Sequence, residues 1–265
     1  MRVLLTNDDG ISSPGLQAMA QALRAAGVDV LVLAPDRNRS AIARSVTLSR
    51  PLKVLEHQLA DGTGGLSCDG TPVDCVRLAA AGVFDATPPD MVVSGINFGA
   101  NLGDDITYSG TVAAALEGML IGLPAVAVSQ ASPLPGRGYD FREAAAFTAA
   151  LVTRVPLTDL SPDGTVLNVN VPAGPVRGVE VTTLGRRVYR DTLGLEGHDD
   201  GIPRYRLYAE APGYEAGEGT DFAAVAGGRI SVTPVRFELV DLDGFERLAR
   251  LDLSGLLEGV GPSAG

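Results

Sequence analysis

The sequence predicts an α/β protein with a doubly wound, Rossmann-like sheet and a β-rich, extended C-terminal part. Over about residues 1–155, short apolar segments rich in Val and Leu alternate with segments of helical spacing, which is typical of βαβ units with right-handed crossovers. From about residue 156 to residue 250, strand-like segments are separated by Gly-rich and Pro-rich turns. The length of 265 residues and the 45% hydrophobic content favour one domain made of this core and its extension. Residues 259–265 are expected to form a frayed tail.

The individual elements follow from apolar periodicity and from helix-ending residues. Residues 2–6 form an apolar run that indicates a strand buried on both faces. Pro14, preceded by Ser13 as the predicted cap, begins a helix that Gly27 ends. The other predicted strands are 28–34, 46–48, 52–55, 91–94, 125–129, 166–171, 179–184, 205–209 and 230–235, and the other predicted helices are 72–81, 111–121 and 141–152.

Charge and composition exclude several classes of function. The net charge of -11 repels a nucleic-acid backbone, so we expect no nucleic-acid partner. No segment has the roughly 20 apolar residues of a membrane span, and the first residues resemble a buried strand and not a signal peptide, so we expect a cytoplasmic protein without a membrane partner. Cys68 and Cys75 are too few for a disulfide framework or a structural zinc site, and we expect them to be reduced, packed thiols.

Two adjacent carboxylates follow the first predicted strand. Asp8 and Asp9 lie where an open α/β sheet places its ligand crevice, at the carboxyl end of a strand. Two ionised carboxylates side by side repel each other, and a hard divalent cation with oxygen ligands removes that repulsion. A bound metal would also allow an anionic substrate to approach an acidic protein. The alternative is structural, with Asp9 in a turn and Asp8 as a cap.

Two further polar loops open at the same edge of the predicted sheet. After the strand 91–94, the Gly-rich and Asn-rich loop 95–103 contains Asn97, whose amide oxygen can bind a metal, and glycines that allow close approach of an anion. Ser109, Gly110 and Thr111 open a helix whose free N–H groups suit a phosphate oxygen. Each loop alone is equally consistent with an ordinary connection or helix cap, but three loops at successive strand ends can converge on one crevice.

Other polar residues have simpler interpretations. His57 and His198 have no partner at metal-ligand spacing, so surface or core roles are favoured over catalysis. The pair at 199–200 is expected to be a solvated turn, and Thr71 and Asp74 are expected to cap the helix 72–81.

Five motifs of this sequence are distinctive when taken together: LTNDDG at 5–10, APDRNRS at 34–40, GTPVDC at 70–75, SGIN at 94–97 and YSGT at 108–111. With these motifs the chain resembles the SurE family of metal-dependent 5'-nucleotidases, and the resemblance extends from residue 1 to about residue 234. It implies one divalent cation per subunit, Mg2+ or Mn2+. The implied metal ligands are Asp8, Asp9, Ser40 and Asn97, and the implied phosphate-binding residues are Asn101, Ser109, Gly110 and Thr111. Ala41 stands where the family usually has Gly, which reduces backbone freedom beside Ser40.

The same resemblance implies a quaternary structure and a reaction. The C-terminal part would exchange elements between subunits, giving a homodimer or homotetramer, which agrees with a segment that has little core of its own. The expected reaction is hydrolysis of a nucleoside 5'-monophosphate by a metal-activated water. Asp8 and Asn97 are the predicted catalytic residues, with Asp8 as the better candidate to orient or deprotonate the water.

Three alternatives remain open at this stage. The enzyme could be a broader phosphomonoesterase that also acts on 3'-nucleotides or polyphosphate, or the chain could bind nucleotides without catalysis. A receiver-like signalling module also has an acidic pair after its first strand, but it needs a lysine at a later strand end, and Lys53 precedes the third candidate strand. A covalent phospho-aspartate is disfavoured because Asp8 and Asp9 are adjacent instead of separated by one residue.

Overall fold

The computed structural model describes residues 1–84, 87–133, 135–161, 164–188, 193–207, 213–215 and 217–257. Within them the strands are β1 (Arg2–Thr6), β2 (Asp29–Pro35), β3 (Val54–Gln58), β4 (Gly64–Cys68), β5 (Met91–Phe98), β6 (Ala125–Gln130), β7 (Thr165–Val171), β8 (Val179–Val181), β9 (Arg187–Val188), β10 (Leu193–Asp199), β11 (Ile202–Leu207), β12 (Gly213–Tyr214) and β13 (Ile230–Arg236). The helices are α1 (Pro14–Ala25), α2 (Pro72–Ala80), α3 (Gly110–Leu120), α4 (Arg142–Arg154), α5 (Leu157–Leu160), α6 (Asp221–Ala226) and α7 (Leu242–Ala249). Among the same described residues, 3-10 helices span Gly103–Thr107 and Ser254–Leu257.

A mixed sheet of nine strands forms the centre of the fold, in the order β3-β4-β2-β1-β5-β6-β7-β13-β8. The strands from β4 to β7 are parallel to one another, while β3 and β13 run antiparallel to their neighbours β4 and β7. Because β1 pairs in parallel with β5, and β5 pairs in parallel with β6, the carboxyl ends of β1, β5 and β6 lie side by side. The predicted doubly wound α/β class is confirmed.

Helices cover both faces of this sheet, and the side chains of β1 show why. Val3 and Leu5 face one hydrophobic core with α1 and α4, while Leu4 faces the other core with α2 and α3. Period-two alternation sends successive side chains to opposite faces, and a strand covered on both faces is therefore apolar throughout. Among the described residues, no helix combines the length and the apolar character needed to cross a lipid bilayer.

One predicted strand is wrong and a neighbouring one is displaced. Residues 46–48 form no strand because the backbone N–H and hydroxyl of Thr47 donate to Asp74 at 2.9 and 2.6 Å, and Leu48 is 86% exposed. The strand predicted at 52–55 is β3, which begins at Val54 and forms an edge hairpin with β4. Strand β4 was not predicted, since its GGLSC sequence has low strand propensity.

The C-terminal part agrees with the prediction in some elements and differs in others. The strands predicted at 166–171 and 230–235 are confirmed as β7 and β13, which belong to the main sheet. The strand predicted at 179–184 is shorter, ending at Val181. The strand predicted at 205–209 overlaps β11, and its residues 208 and 209 lie outside the described residues. The predicted tail 259–265 also lies outside them. The hairpin of β10 and β11 and the helices α6 and α7 were not predicted.

Candidate active site

The three loops predicted to converge do so at the carboxyl ends of β1 and β5. They border a cleft of about 460 Å3, a volume within the usual range for small-molecule sites. The cleft is lined by Asp8, Ser40, Ala41, Asn97, Phe98, Gly99, Ala100, Asn101, Asp105, Tyr108 and Ser109. Five of the eight predicted site residues therefore line one cleft, and the other three, Asp9, Gly110 and Thr111, contact residues that line it.

The carboxylate of Asp8 is held against the N-terminus of α3. Asp8 is 3% exposed, and Thr111 donates its hydroxyl to Oδ1 of Asp8 at 2.5 Å. A Cβ at Gly110 would lie 2.8 Å from the Asp8 Cβ and 2.9 Å from Oδ2, so only glycine permits this approach. Helix N-termini stabilise negative charge, and α3 here presents its first turn to a carboxylate.

The carboxylate of Asp9 connects two loops of the cleft. The backbone N–H of Phe98 donates to Oδ2 at 3.2 Å, and the Asn38 amide donates to Oδ1 at 3.3 Å. The carbonyl oxygen of the Asn38 side chain accepts from the Ser40 backbone N–H at 2.8 Å, so Asn38 ties Ser40 to the carboxylate pair. Asn38 was not among the predicted site residues, although it lies two residues before Ser40 in the same motif.

The electrostatics of the pair fit a cation site. Burial raises the pKa of Asp8, with the Thr111 hydroxyl opposing this shift, and burial together with the charge of Asp8 raises the pKa of Asp9 to about 7. Within the described residues, the main causes of these two shifts include no cationic side chain. A buried carboxylate beside a half-buried one is a costly arrangement unless a cation joins them.

The cleft also contains two neutral oxygen donors. The Asn97 side-chain nitrogen donates to the Gly99 carbonyl at 2.8 Å, which leaves its amide oxygen as the atom that can serve as a ligand. In the part of the chain that the structure describes, no group of three or more His, Cys, Asp and Glu side chains has the geometry to hold a metal. Together with the two carboxylates, the Asn97 amide oxygen and the Ser40 hydroxyl form an all-oxygen set, which suits Mg2+ or Mn2+.

Asn101 is fixed by buried polar residues that the sequence analysis missed. Its backbone N–H donates to the Asn170 side chain at 2.8 Å, its side-chain nitrogen donates to Ser129 Oγ at 2.8 Å, and its carbonyl accepts from Asn168 at 2.9 Å. Ser129 lies near the end of β6, and Asn168 and Asn170 lie within β7. The signal available in the sequence was the pair of asparagines inside an otherwise apolar strand.

Ser109 and Thr111 have structural contacts in addition to their predicted roles. The Ser109 hydroxyl accepts from the Val112 N–H at 3.1 Å, so it caps α3 as the simpler interpretation proposed. The Thr111 hydroxyl is directed at Asp8, and the backbone N–H groups of Gly110 and Thr111 also lower the Asp8 pKa. The first turn of α3 therefore positions Asp8 directly, while Ser109 lines the cleft.

The loop that carries Ser40 is strained and firmly anchored. Ala41 and Ala43 have φ values of 57° and 52°, a left-handed conformation that costs about 1 to 2 kcal/mol for a residue other than glycine. The Ala43 N–H donates to the Tyr108 carbonyl at 3.1 Å. The guanidinium of Arg44 pairs with Glu117 of α3 at 2.8 Å, and Glu117 is 1% exposed. These contacts hold Ala41 at the cleft despite its backbone strain.

Residues with predicted structural roles are found away from the cleft. Thr71 and Asp74 form a capping box at the start of α2, as predicted. Cys68 and Cys75 are free and buried, and His57 and His198 lie in β3 and β10. Residues 199–200 lie at the tip of the β10–β11 hairpin, which confirms the predicted turn.

The fold and the cleft define a doubly wound α/β protein with an acidic, oxygen-rich ligand site at the carboxyl ends of its central strands. Comparison with family models finds a match to Survival protein SurE over residues 3–191. This chain belongs to the SurE family, and the resemblance of its motifs is confirmed.

Relatives and a solved structure agree with this assignment. The "5'-nucleotidase SurE" of Rubrobacter xylanophilus is 50% identical over 266 residues, covering 97% of this chain and 99% of the relative. The "5'-nucleotidase SurE" of Geobacter sulfurreducens is 45% identical, covering 100% of this chain and 99% of the relative. The SurE protein crystal structure from Aquifex aeolicus superposes with a TM-score of 0.77 at 37% identity, covering 97% of this chain and 100% of that chain.

Proposed function

We propose that this chain is a metal-dependent 5'-nucleotidase, which hydrolyses nucleoside 5'-monophosphates to nucleoside and phosphate with one divalent cation, Mg2+ or Mn2+, per subunit. The observation that carries the proposal is the pair of the buried Asp8 and the half-buried Asp9. The pKa values of both are raised, and no cationic side chain of the described residues is among the main causes of these shifts. Ser40 and Asn97 complete the proposed ligand set. The relatives carry this activity in their name.

Different residues of the cleft have different proposed roles in hydrolysis. A bound divalent cation supplies charge neutralisation for the phosphoryl group and a lower pKa for the attacking water. Asp8 Oδ1 accepts from Thr111, so we assign Oδ2 as the acceptor for the proton of that water. Asn101, Ser109, Gly110 and Thr111 are the proposed contacts of the phosphate oxygens. The N–H groups of Gly110 and Thr111 also contact the Asp8 carboxylate, so a phosphate oxygen would share them with Asp8. The water oxygen forms a bond to phosphorus as the bond between phosphorus and the 5' oxygen breaks, and the 5' oxygen takes a proton from solvent to become the nucleoside hydroxyl.

The proposed function predicts phosphate release that depends on metal and on pH. We expect release from adenosine 5'-monophosphate with Mn2+, loss of release with a chelator, and recovery when Mn2+ is restored. Since the pKa of Asp9 without metal is raised to about 7, a proton competes with the cation below that pH. The Mn2+ concentration for half activation should therefore rise by about tenfold from about pH 8 to about pH 6.

The measurement is a phosphate assay over a Mn2+ titration at each pH. A panel with 3'-nucleotides and polyphosphate, run in parallel, tests the broader phosphomonoesterase. If no nucleoside monophosphate releases phosphate with either cation, the enzyme proposal fails and nucleotide binding without catalysis replaces it. A half-activation concentration that is independent of pH would contradict the role of the carboxylate pair in holding the cation.

We further propose that the chain forms one domain and assembles as a homodimer or homotetramer through its C-terminal part. The strands β7, β13 and β8 extend the main sheet, which supports one domain. The apolar residues Leu242, Phe245 and Leu248 of α7 are 71%, 65% and 55% exposed, and α7 has no buried residue. Contiguous exposed apolar side chains are typical of an interface.

Light scattering tests the assembly. We expect a mass of two or four times the 27.3 kDa of one chain. Phe245→Asp should lower that mass by placing a charge in the interface, whereas Glu246→Gln on the same helix should leave it unchanged. A parent protein with the mass of a single chain would contradict the proposal.

A further inference from the structure

Three aromatic rings form a cluster that ends at the cleft. The Phe98 ring centroid lies 4.8 Å from that of Tyr139 and 5.2 Å from that of Phe141, with interplanar angles of 87° and 79°. Tyr139 and Phe141 are stacked on each other at 5.4 Å. Phe141 is buried, whereas Phe98 is 38% exposed and lines the cleft. Edge-to-face contacts of this kind are favourable, so Phe98 presents a supported ring to the cleft and not a mobile one.

The backbone of Phe98 places this ring beside the proposed reaction centre. Phe98 follows Asn97 directly, and its N–H donates to Asp9. Tyr108, which is 57% exposed, lines the same cleft next to Ser109. Two aromatic side chains therefore flank the residues proposed to hold the cation and the phosphate, although neither ring has a part in the hydrolysis itself.

The cleft uses part of its hydrogen-bonding capacity within the protein. The side-chain nitrogens of Asn97 and Asn101 each donate one N–H, to Gly99 and to Ser129, and the Asp105 carboxylate is paired with Arg187. The exposed part of the Phe98 ring adds an aromatic surface to the cleft, and such a surface binds every base through its π face.

We infer that Phe98 is a specificity-determining residue, on whose ring the base of the nucleotide stacks. The inference rests on the proposed function, because it assumes that the phosphate occupies the Asn101 and Ser109 end of the cleft. Phosphate and cation contacts are the same for a nucleotide and for a sugar phosphate, so the ring favours only the substrate that carries a base. Loss of one stacking ring lowers the affinity for a base by about tenfold.

The test compares two substrates that differ only in the base. For Phe98→Leu, which keeps apolar bulk, we expect kcat/KM for adenosine 5'-monophosphate to fall about tenfold, mainly through KM. We expect kcat/KM for ribose 5-phosphate to stay within about twofold, since this compound has no base to stack. Phe84→Leu is the matched control, because Phe84 lines a separate cavity with residues of β2, β3 and β4, and both substrates should be unaffected.

Inhibition by adenosine provides a second measurement, because adenosine carries the base but has no phosphate to be hydrolysed. Its inhibition constant should rise about tenfold in Phe98→Leu. An equal loss on both substrates with an unchanged adenosine constant would mean that the ring only positions Asn97 and Asp9, and would overturn the inference. Unchanged kinetics with adenosine 5'-monophosphate would overturn it as well. Failure of the proposed function is distinct, since the parent protein would then release phosphate from neither substrate.

Discussion

Replacement of Asp8 by asparagine is expected to lower kcat/KM for nucleoside 5'-monophosphates by at least about a thousandfold. Asparagine has the size of aspartate, and its amide oxygen can still accept from the Thr111 hydroxyl that now donates to Oδ1. The change removes the negative charge that would hold the cation and the oxygen assigned to accept the proton. Phosphate release at saturating Mn2+ measures the effect, and Asp29→Asn, at the amino end of β2, is the matched control that should retain full activity.

The thermal stability of the same variant separates a chemical defect from a folding defect. Burial raises the pKa of Asp8, and the Asp8 charge contributes to the raised pKa of Asp9. At about pH 8, above the pKa of Asp9, the charge of Asp9 is repelled by that of Asp8, and this repulsion destabilises the metal-free protein. Metal-free Asp8→Asn should therefore have a melting temperature equal to or higher than that of the metal-free parent. Mn2+ should raise the melting temperature of the parent but not that of the variant. A variant that melts lower without metal, or that keeps its activity, would contradict this account.

Replacement of Asp221 by alanine is expected to lower the free energy of unfolding by about 3 to 5 kcal/mol. Asp221 is fully buried at the start of α6. Its Oδ2 accepts from the Gly103 N–H at 2.7 Å, and its Oδ1 accepts from the N–H groups of Gly185 and Phe222 at 2.8 and 2.9 Å. Alanine would leave these donors without their acceptor in the interior, where an unpaired N–H is costly.

Urea denaturation measures this effect as a shift of the midpoint at an unchanged slope. Asp29→Ala is the control, since it breaks the exposed ion pair with Arg2 and should cost less than about 1 kcal/mol. A cost for Asp221→Ala no larger than that of the control would mean that water replaces the carboxylate. Because Gly103 begins the 3-10 helix that leads to Tyr108 and Ser109, we expect the variant also to lose activity more than the control.

The fold was predictable from the sequence where a single physical effect dominates. Strand β1 and helix α1 are recognised because burial on both faces makes a strand apolar throughout and burial on one face gives a helix its periodicity. The segment 46–48 has the composition of a strand, but the backbone N–H of Thr47 donates to the Asp74 side chain, as does the Thr47 hydroxyl, and the segment pairs with no strand of the described residues. Such a long-range side-chain contact leaves no local signal. The same holds for β4, which is a strand because β2 and β3 pair with it.

The polar loops of the candidate site were predictable from the sequence, whereas the residues that hold these loops in place were not. Asp8 and Asp9 are visible because two carboxylates directly after a buried strand have few structural uses. Asn168 and Asn170, which hold Asn101, are set in an apolar strand and cannot be assigned to the cleft without the strand order. Glu117, in the middle of α3, resembles an exposed helix residue until Arg44 and Arg77 are seen to pair with it.

The contact between Gly110 and Asp8 decides which parts of the cleft can be remodelled by protein engineering. A side chain at position 110 would displace the carboxylate, and a longer acid at position 8 would collide with the backbone at Gly110. Neither position can therefore take a larger residue. Ala41, Phe98 and Tyr108 line the cleft with accessible side chains. A library aimed at new phosphate esters should therefore vary these three positions and leave the first turn of α3 intact.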